Sequence, residues 1–122
     1  MSISFPEFSD LVGVTLTSVV GRVGGDSIIM TATDGRVFTL HHEQDCCESV
    51  RVEDIAGDLE DLVCVPIMLA EEESNREKDT DGDSMTWTFY KLRTSKGDVT
   101  IRWLGSSNGY YSESVHMSMV SP

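Results

Sequence analysis

The sequence predicts a mainly β fold: a single antiparallel β-sheet domain, meander or sandwich-like, with at most one or two short helices. Three observations lead there. Runs rich in Val, Ile, Thr and aromatic residues recur without the spacing of an amphipathic helix. Asp34-Gly35 between two such runs is a strong hairpin signal, since a type I′ turn needs positive φ at both positions. Further turn signals, at Gly24-Gly25-Asp26, Lys96-Gly97 and Ser106-Ser107-Asn108-Gly109, divide the remaining runs into strand-sized pieces.

Taken in order, Phe5 to Leu11 reads as an irregular or one-turn helical start, with Ser9 the N-cap candidate. From Val14 the chain becomes β-branched, and Ser27–Ala32 and Arg36–His41 complete a three-strand meander. Within the third strand Val37, Thr39 and His41 share one face and Phe38 and Leu40 the other. Ser49 to Ile55 forms a short strand, and 57–62 a single helical turn with Asp58 at its start, where a carboxylate favours the dipole. Pro66–Ala70 is a strand running into Glu71-Glu72-Glu73. Residues 74–84, polar and without an apolar anchor, read as a hairpin loop. Met85–Leu92, Val99–Leu104 and Tyr110–Val115 make a second meander, with Trp87, Phe89 and Lys91 on one face. At 122 residues the chain reads as one domain, 1–122, long enough to bury a core of its own.

Charge is the strongest compositional signal. The chain carries 21 acidic and 9 basic residues, a net charge of -12. Between Glu43 and Asp83 lie 15 of the acidic residues and only Arg51, Arg76 and Lys78 of the basic ones, so the rest is neutral. That distribution disfavours direct binding to nucleic-acid phosphates. It suits solubility, cation binding, or mimicry of nucleic acid toward a basic partner. No apolar run approaches the roughly 18 residues of a membrane span, and MSISFPEFSD lacks the features of a signal peptide. A cytoplasmic location, with no membrane partner, is therefore expected. Cys46, Cys47 and Cys64 make an odd count, and neighbouring side chains point apart, so reduced thiols are expected.

The segments HHEQDCCESVRVEDIAGDLEDL, PIMLAEE and TWTFYKLRTSKGDVTIRWLGSSNGYYSESV span most of residues 12–116. In these blocks the chain resembles a family of small phage and prophage proteins with the pattern HxxDCCE...EDIxGDLxDL...TWTFYK...TIRWxGxSNGYYSE. The resemblance carries no catalytic motif, so it transfers no residue roles. It implies a phage origin, action inside an infected bacterial host, and a role against host defence.

Several residues are candidates for chemistry. His42, Cys46 and Cys47 are the metal candidates, with zinc the ion their side chains suit. Their spacing is workable only from His42 to one of the cysteines, and a further ligand must come from Asp45, Cys64 or His116; packed cysteines and strand-end histidines are the simpler account. A cysteine nucleophile beside a histidine base lacks an orienting third group, and Asp58, Glu60 and Asp61 read more simply as a solvated face. Glu77–Gly82 matches an EF-hand loop only superficially. No P-loop or dinucleotide fingerprint is present, and no cofactor is expected.

The aromatic residues Trp87, Phe89, Tyr90, Trp103, Tyr110 and Tyr111, with Arg102 and Asn108, could stack on and hydrogen-bond a nucleobase while pairing its phosphate. A cross-strand aromatic ladder in the core is the competing account. The ligand-binding candidates are accordingly His42, Asp45, Trp87, Arg102, Trp103, Asn108, Tyr110 and Tyr111. Three functions follow. One is a non-enzymatic binding protein that sequesters a nucleotide-like immune signal, acting as a homo-oligomer. The second is an acidic inhibitor occupying a basic nucleic-acid groove of a host enzyme. The third, a small hydrolase or metal-dependent enzyme built on His42 and Cys46, ranks behind both.

Overall fold

The computed structural model describes residues 2–78 and 82–122. Nine strands form two antiparallel sheets: β1 Ser2–Ser4, β2 Leu16–Val20, β3 Ser27–Ala32, β4 Val37–His41, β5 Ser49–Ala56, β6 Leu69–Lys78, β7 Ser84–Thr94, β8 Gly97–Ser107 and β9 His116–Ser121. The first sheet has the order β1-β9-β4-β3-β2 and the second β5-β8-β7-β6. Among the described residues, helical structure is confined to two 3-10 turns, Phe8–Leu11 and Leu59–Leu62. Among the described residues no helix is long and apolar enough to cross a membrane.

The period-two pattern dictates how the sheets meet. Ile28, Met30, Phe38 and Leu40 of the first sheet are buried, as are Val52, Tyr90, Leu92, Ile101 and Trp103 of the second, and all belong to one core. Phe8, Leu11, Leu62 and Ile67 fill it from the turns and connections. Each strand's alternate residues face outward, which an antiparallel sheet tolerates.

The first meander stands as expected, β2 pairing β3 and β3 pairing β4. Its Asp34-Gly35 turn does not. Only Gly35 has positive φ, at 91°, and the connection runs over 33–36, closed by Ala32 N–H donating to Arg36 O at 2.8 Å. The Asp34 carboxylate accepts from Arg36 N at 3.1 Å and from its Nε at 2.7 Å, so the side chain shapes the longer loop. The first 3-10 turn is capped by Glu7 in a reciprocal capping box with Asp10, not by Ser9. Asp58 does cap the second, accepting from Glu60 N at 3.0 Å.

Two stretches are corrected. Residues 74–78, expected in a loop, continue β6, paired to β7 through Lys78 opposite Ser84. Backbone pairing to a neighbour compensates for the missing apolar anchor at an edge. The rest of the expected loop, and with it most of the EF-hand-like segment, includes residues 79–81, which lie outside the described residues. Residues 110–115, expected as a strand returning on β8, instead cross to the first sheet, where β9 pairs with β4 and β1.

Candidate functional site

Two connections cross between the sheets, residues 42–48 from β4 to β5 and 108–115 from β8 to β9. A buried ion pair ties them together. His42 Nε2 donates to Glu48 Oε2 at 2.7 Å and His42 Nδ1 donates to the Ser114 carbonyl at 2.6 Å. Both ring nitrogens are taken up by these two partners, so neither is open to another. Glu48, its side chain fully buried, also accepts the backbone N–H groups of Asp45 and Cys46, each at 2.9 Å, and Gln44 Nε2 at 3.2 Å. The His42 hydrogen bond, against the opposing effect of burial and aided by these amides, pulls the Glu48 carboxyl down to about 2. The pair staples one crossover to the other.

This staple takes His42 out of the metal and ligand roles the sequence suggested for it, because neither nitrogen is free. The cysteines are corrected too. Cys46 and Cys47 are joined to each other in a disulfide, and Cys64 is the free, exposed thiol. The chain curls about the Glu48 carboxylate through the Asp45 and Cys46 amides, and the bend lies at the two cysteines. Disulfide sulfurs lack the thiolate charge zinc requires. Among the described residues no group of three or more His, Cys, Asp or Glu is placed to hold a metal ion.

A second buried carboxylate, Glu113, lies on the other crossover and is 5% exposed. The hydroxyls of Ser84 (3.2 Å), Thr86 (2.7 Å) and Ser107 donate to it. Arg76 Nε in turn donates to Ser84 Oγ at 3.0 Å, and Gly109 N–H to Ser107 Oγ at 3.0 Å. Room for this network comes from Gly105. A Cβ there would lie 2.7 Å from Glu113 Cβ and 2.8 Å from its carbonyl oxygen. Gly105→Ala is therefore expected to lose about 1–3 kcal/mol through overpacking, read as a lower urea midpoint at unchanged slope.

Between these crossovers, at one end of the second sheet, opens a cleft of about 730 Å³. Its base is one cross-strand row, Ser49, Ser106, Met85 and Glu77, contributed by β5, β8, β7 and β6. Cys47, Lys78, Asp83, Asn108 and Tyr111 complete the walls, with Ser84 and Ser107 linking them to Glu113.

Apart from His42, the candidate ligand-binding residues fall into five places. Asn108 and Tyr111 share the cleft. Trp87 and Arg102 lie on the outer face of the second sheet, with the guanidinium 5.3 Å from the Trp87 ring centroid. There Arg102 donates through Nε and Nη2 to Glu53 Oε2 at 3.0 and 2.7 Å. Trp103 has the opposite parity and is fully buried, and its Nε1–H has no partner. Tyr110 is 82% exposed, edge-on to Tyr111, on the far side from the cleft, and Asp45 is exposed in the β4–β5 crossover. Adjacent strand residues must face opposite ways, so Arg102 and Trp103 could never have served one ligand. Glu48 and Glu113, which shape the site, gave no signal in the sequence because an isolated carboxylate resembles every other surface acid.

The acidic half also has an edge. Strand β6 ends the second sheet, and its residues 71–78 are exposed. Glu71, Glu73, Asn75 and Glu77 alternate on the outward face with Glu72 on the other. The first 3-10 turn lies against the strand's beginning, and nothing among the described residues pairs with the edge from Ser74 onward. Four of the chain's nine Lys and Arg residues are engaged at home, in the pairs Arg36–Asp34, Lys91–Glu73, Arg93–Asp98 and Arg102–Glu53.

The chain belongs to the DUF7448 family, a domain of unknown function whose model matches residues 9–117. No curated protein and no solved structure matches it.

Proposed function

We propose that this DUF7448 chain is a non-enzymatic binding protein that docks through its acidic edge strand β6 onto a basic surface of another protein. The target is a surface of the kind that otherwise holds nucleic-acid phosphates. The observation that carries the reading is a strand edge open from Ser74 onward, with Glu77 on it and the exposed carboxylates of Glu71, Glu72 and Glu73 leading into it. An exposed edge supplies main-chain hydrogen bonds to an added strand. Carboxylates on both faces of that strand select Lys and Arg on the partner and speed the encounter. With the resemblance to phage proteins, the partner is a defence enzyme in the cytoplasm of an infected bacterium.

The other reading, sequestration of a nucleotide-like signal by one or more copies of the chain, has less support. Arg102 is paired with Glu53 on the outer face, while Glu77 and Asp83 stand in the cleft where a phosphate would have to sit. An enzymatic reading on His42 and Cys46 fares no better, since His42 has no free nitrogen to act as base and Cys46 no free thiol.

The test is a fluorescence titration with an extended peptide alternating Lys and Val. Binding is expected to weaken roughly tenfold or more between about 50 and 300 mM salt. Glu71→Lys with Asn75→Lys, both exposed and outward, should remove it. Binding that ignores salt, or survives the double substitution, would contradict the proposal.

A further inference from the structure

The cleft at the end of the second sheet opens beyond the β6 docking edge, sharing only the strand's last two residues, Glu77 and Lys78, with it, and it is built for another class of molecule. We propose that it binds a neutral polyhydroxylated ligand, a saccharide. Its volume lies within the roughly 300–1,000 Å³ of small-molecule sites. The polar groups facing it come in both hydrogen-bonding senses and are not engaged with one another. The Glu77 and Asp83 carboxylates and the Lys78 ammonium have no partner among the described residues. Ser106 Oγ has none either. Asn108 turns its Oδ1 to the Tyr110 N–H at 3.0 Å, which leaves its two amide N–H donors for a ligand.

The ligand class follows from that set. Two carboxylates against one ammonium repel a phosphate. A single cation on the ligand would satisfy Glu77 or Asp83 but leave the donors of Lys78, Asn108 and Ser106 facing no acceptor. Sugar hydroxyls donate and accept at once, so adjacent hydroxyls can give to Glu77 and Asp83 while receiving from Lys78 and Asn108. Tyr111 and Met85 supply the apolar contact for the C–H face of a sugar ring. The site is held firm from behind, because the buried Glu113 fixes the Ser84 and Ser107 hydroxyls beneath it.

Saturation-transfer NMR on the intact chain tests this, using glucose, N-acetylglucosamine, maltose and cellobiose at about 10 mM, with inorganic phosphate and spermidine as charged controls. At least one sugar is expected to receive saturation, with dissociation constants on the order of millimolar. Tyr111→Ala or Asn108→Ala should weaken it at least about fivefold, whereas Tyr110→Ala, outside the cleft, should not. Each variant is checked for the parent's melting midpoint, and Asn108→Asp, which keeps the shape but removes the donors, gives the same loss if the amide matters. Saturation of no sugar in the panel, equal loss in the Tyr110 variant, or displacement of the sugar by phosphate or spermidine at equal concentration would overturn the proposal. Because none of these substitutions touches Glu71 or Asn75, failure here leaves the docking test to stand or fall separately.

Discussion

Replacing His42 with Ala is expected to lower the melting midpoint by roughly 10 °C or more, because it strands a buried carboxylate. Glu48 would keep only the Gln44, Asp45 and Cys46 donors, and the crossover at Ser114 would lose its tie to residue 42. Glu48→Gln should be nearly as damaging, since an amide oxygen is a weaker acceptor and its NH₂ group would face the His42 donor. The same pair sets an acid limit. Glu48 is held near 2 in the folded chain against an ordinary value of 4.5, so its contribution is complete above about pH 4.5. As the pH falls toward 2 the carboxylate takes up a proton and that contribution disappears. Urea midpoints measured from pH 6 to pH 2.5 should therefore fall more steeply in the parent than in Glu48→Gln. Parallel curves would show that the pair carries no such weight.

Trp103→Ala should cost about 3–5 kcal/mol, the usual range for emptying a large aromatic site in a packed core. Trp103 is the largest fully buried side chain in the described chain and sits opposite Val52 and Thr88 at the centre of the second sheet. Trp103→Phe is expected to cost less than half as much. The indole N–H it removes has no hydrogen-bond partner, so its loss relieves an unpaired buried donor while the ring volume is largely retained. Urea unfolding of both variants reads the difference directly. Equal losses would mean that the indole N–H finds a partner after all.

How far the sequence reveals this molecule depends on the range over which each cause acts. The β-rich class, the first meander and the Asp58-capped turn were legible because alternation, β-branching and capping act within a few residues. The parity of Trp87 and Phe89 against Tyr90 was legible in the same way. The path of residues 110–115 was not, because Tyr110 and Tyr111 look strand-like locally and only the His42–Ser114 bond and the β9–β4 pairing show that they cross between sheets. Asn108 and Tyr111, which the sequence offers as binding residues, do share the cleft, but composition alone groups Arg102 and Trp103 with them, and neighbouring strand positions cannot share a face. The Cys46–Cys47 bond runs against the rule that adjacent side chains diverge, because the loop folds around the buried Glu48 carboxylate, which nothing in the sequence announces. The acidic edge was half legible: the charge was plain, but the continuation of β6 through residues 74–78 depends on its partner β7.

The claim that β6 is the docking strand is tested most directly by amide hydrogen exchange of the labelled chain, followed by NMR with and without the alternating Lys/Val peptide at low salt. Amides of Ser74 to Lys78 that are not bonded to β7 are predicted to slow at least about tenfold on binding and to return to their free rates in high salt. Protection confined to another surface, or none along β6 while the peptide is bound, would contradict the account.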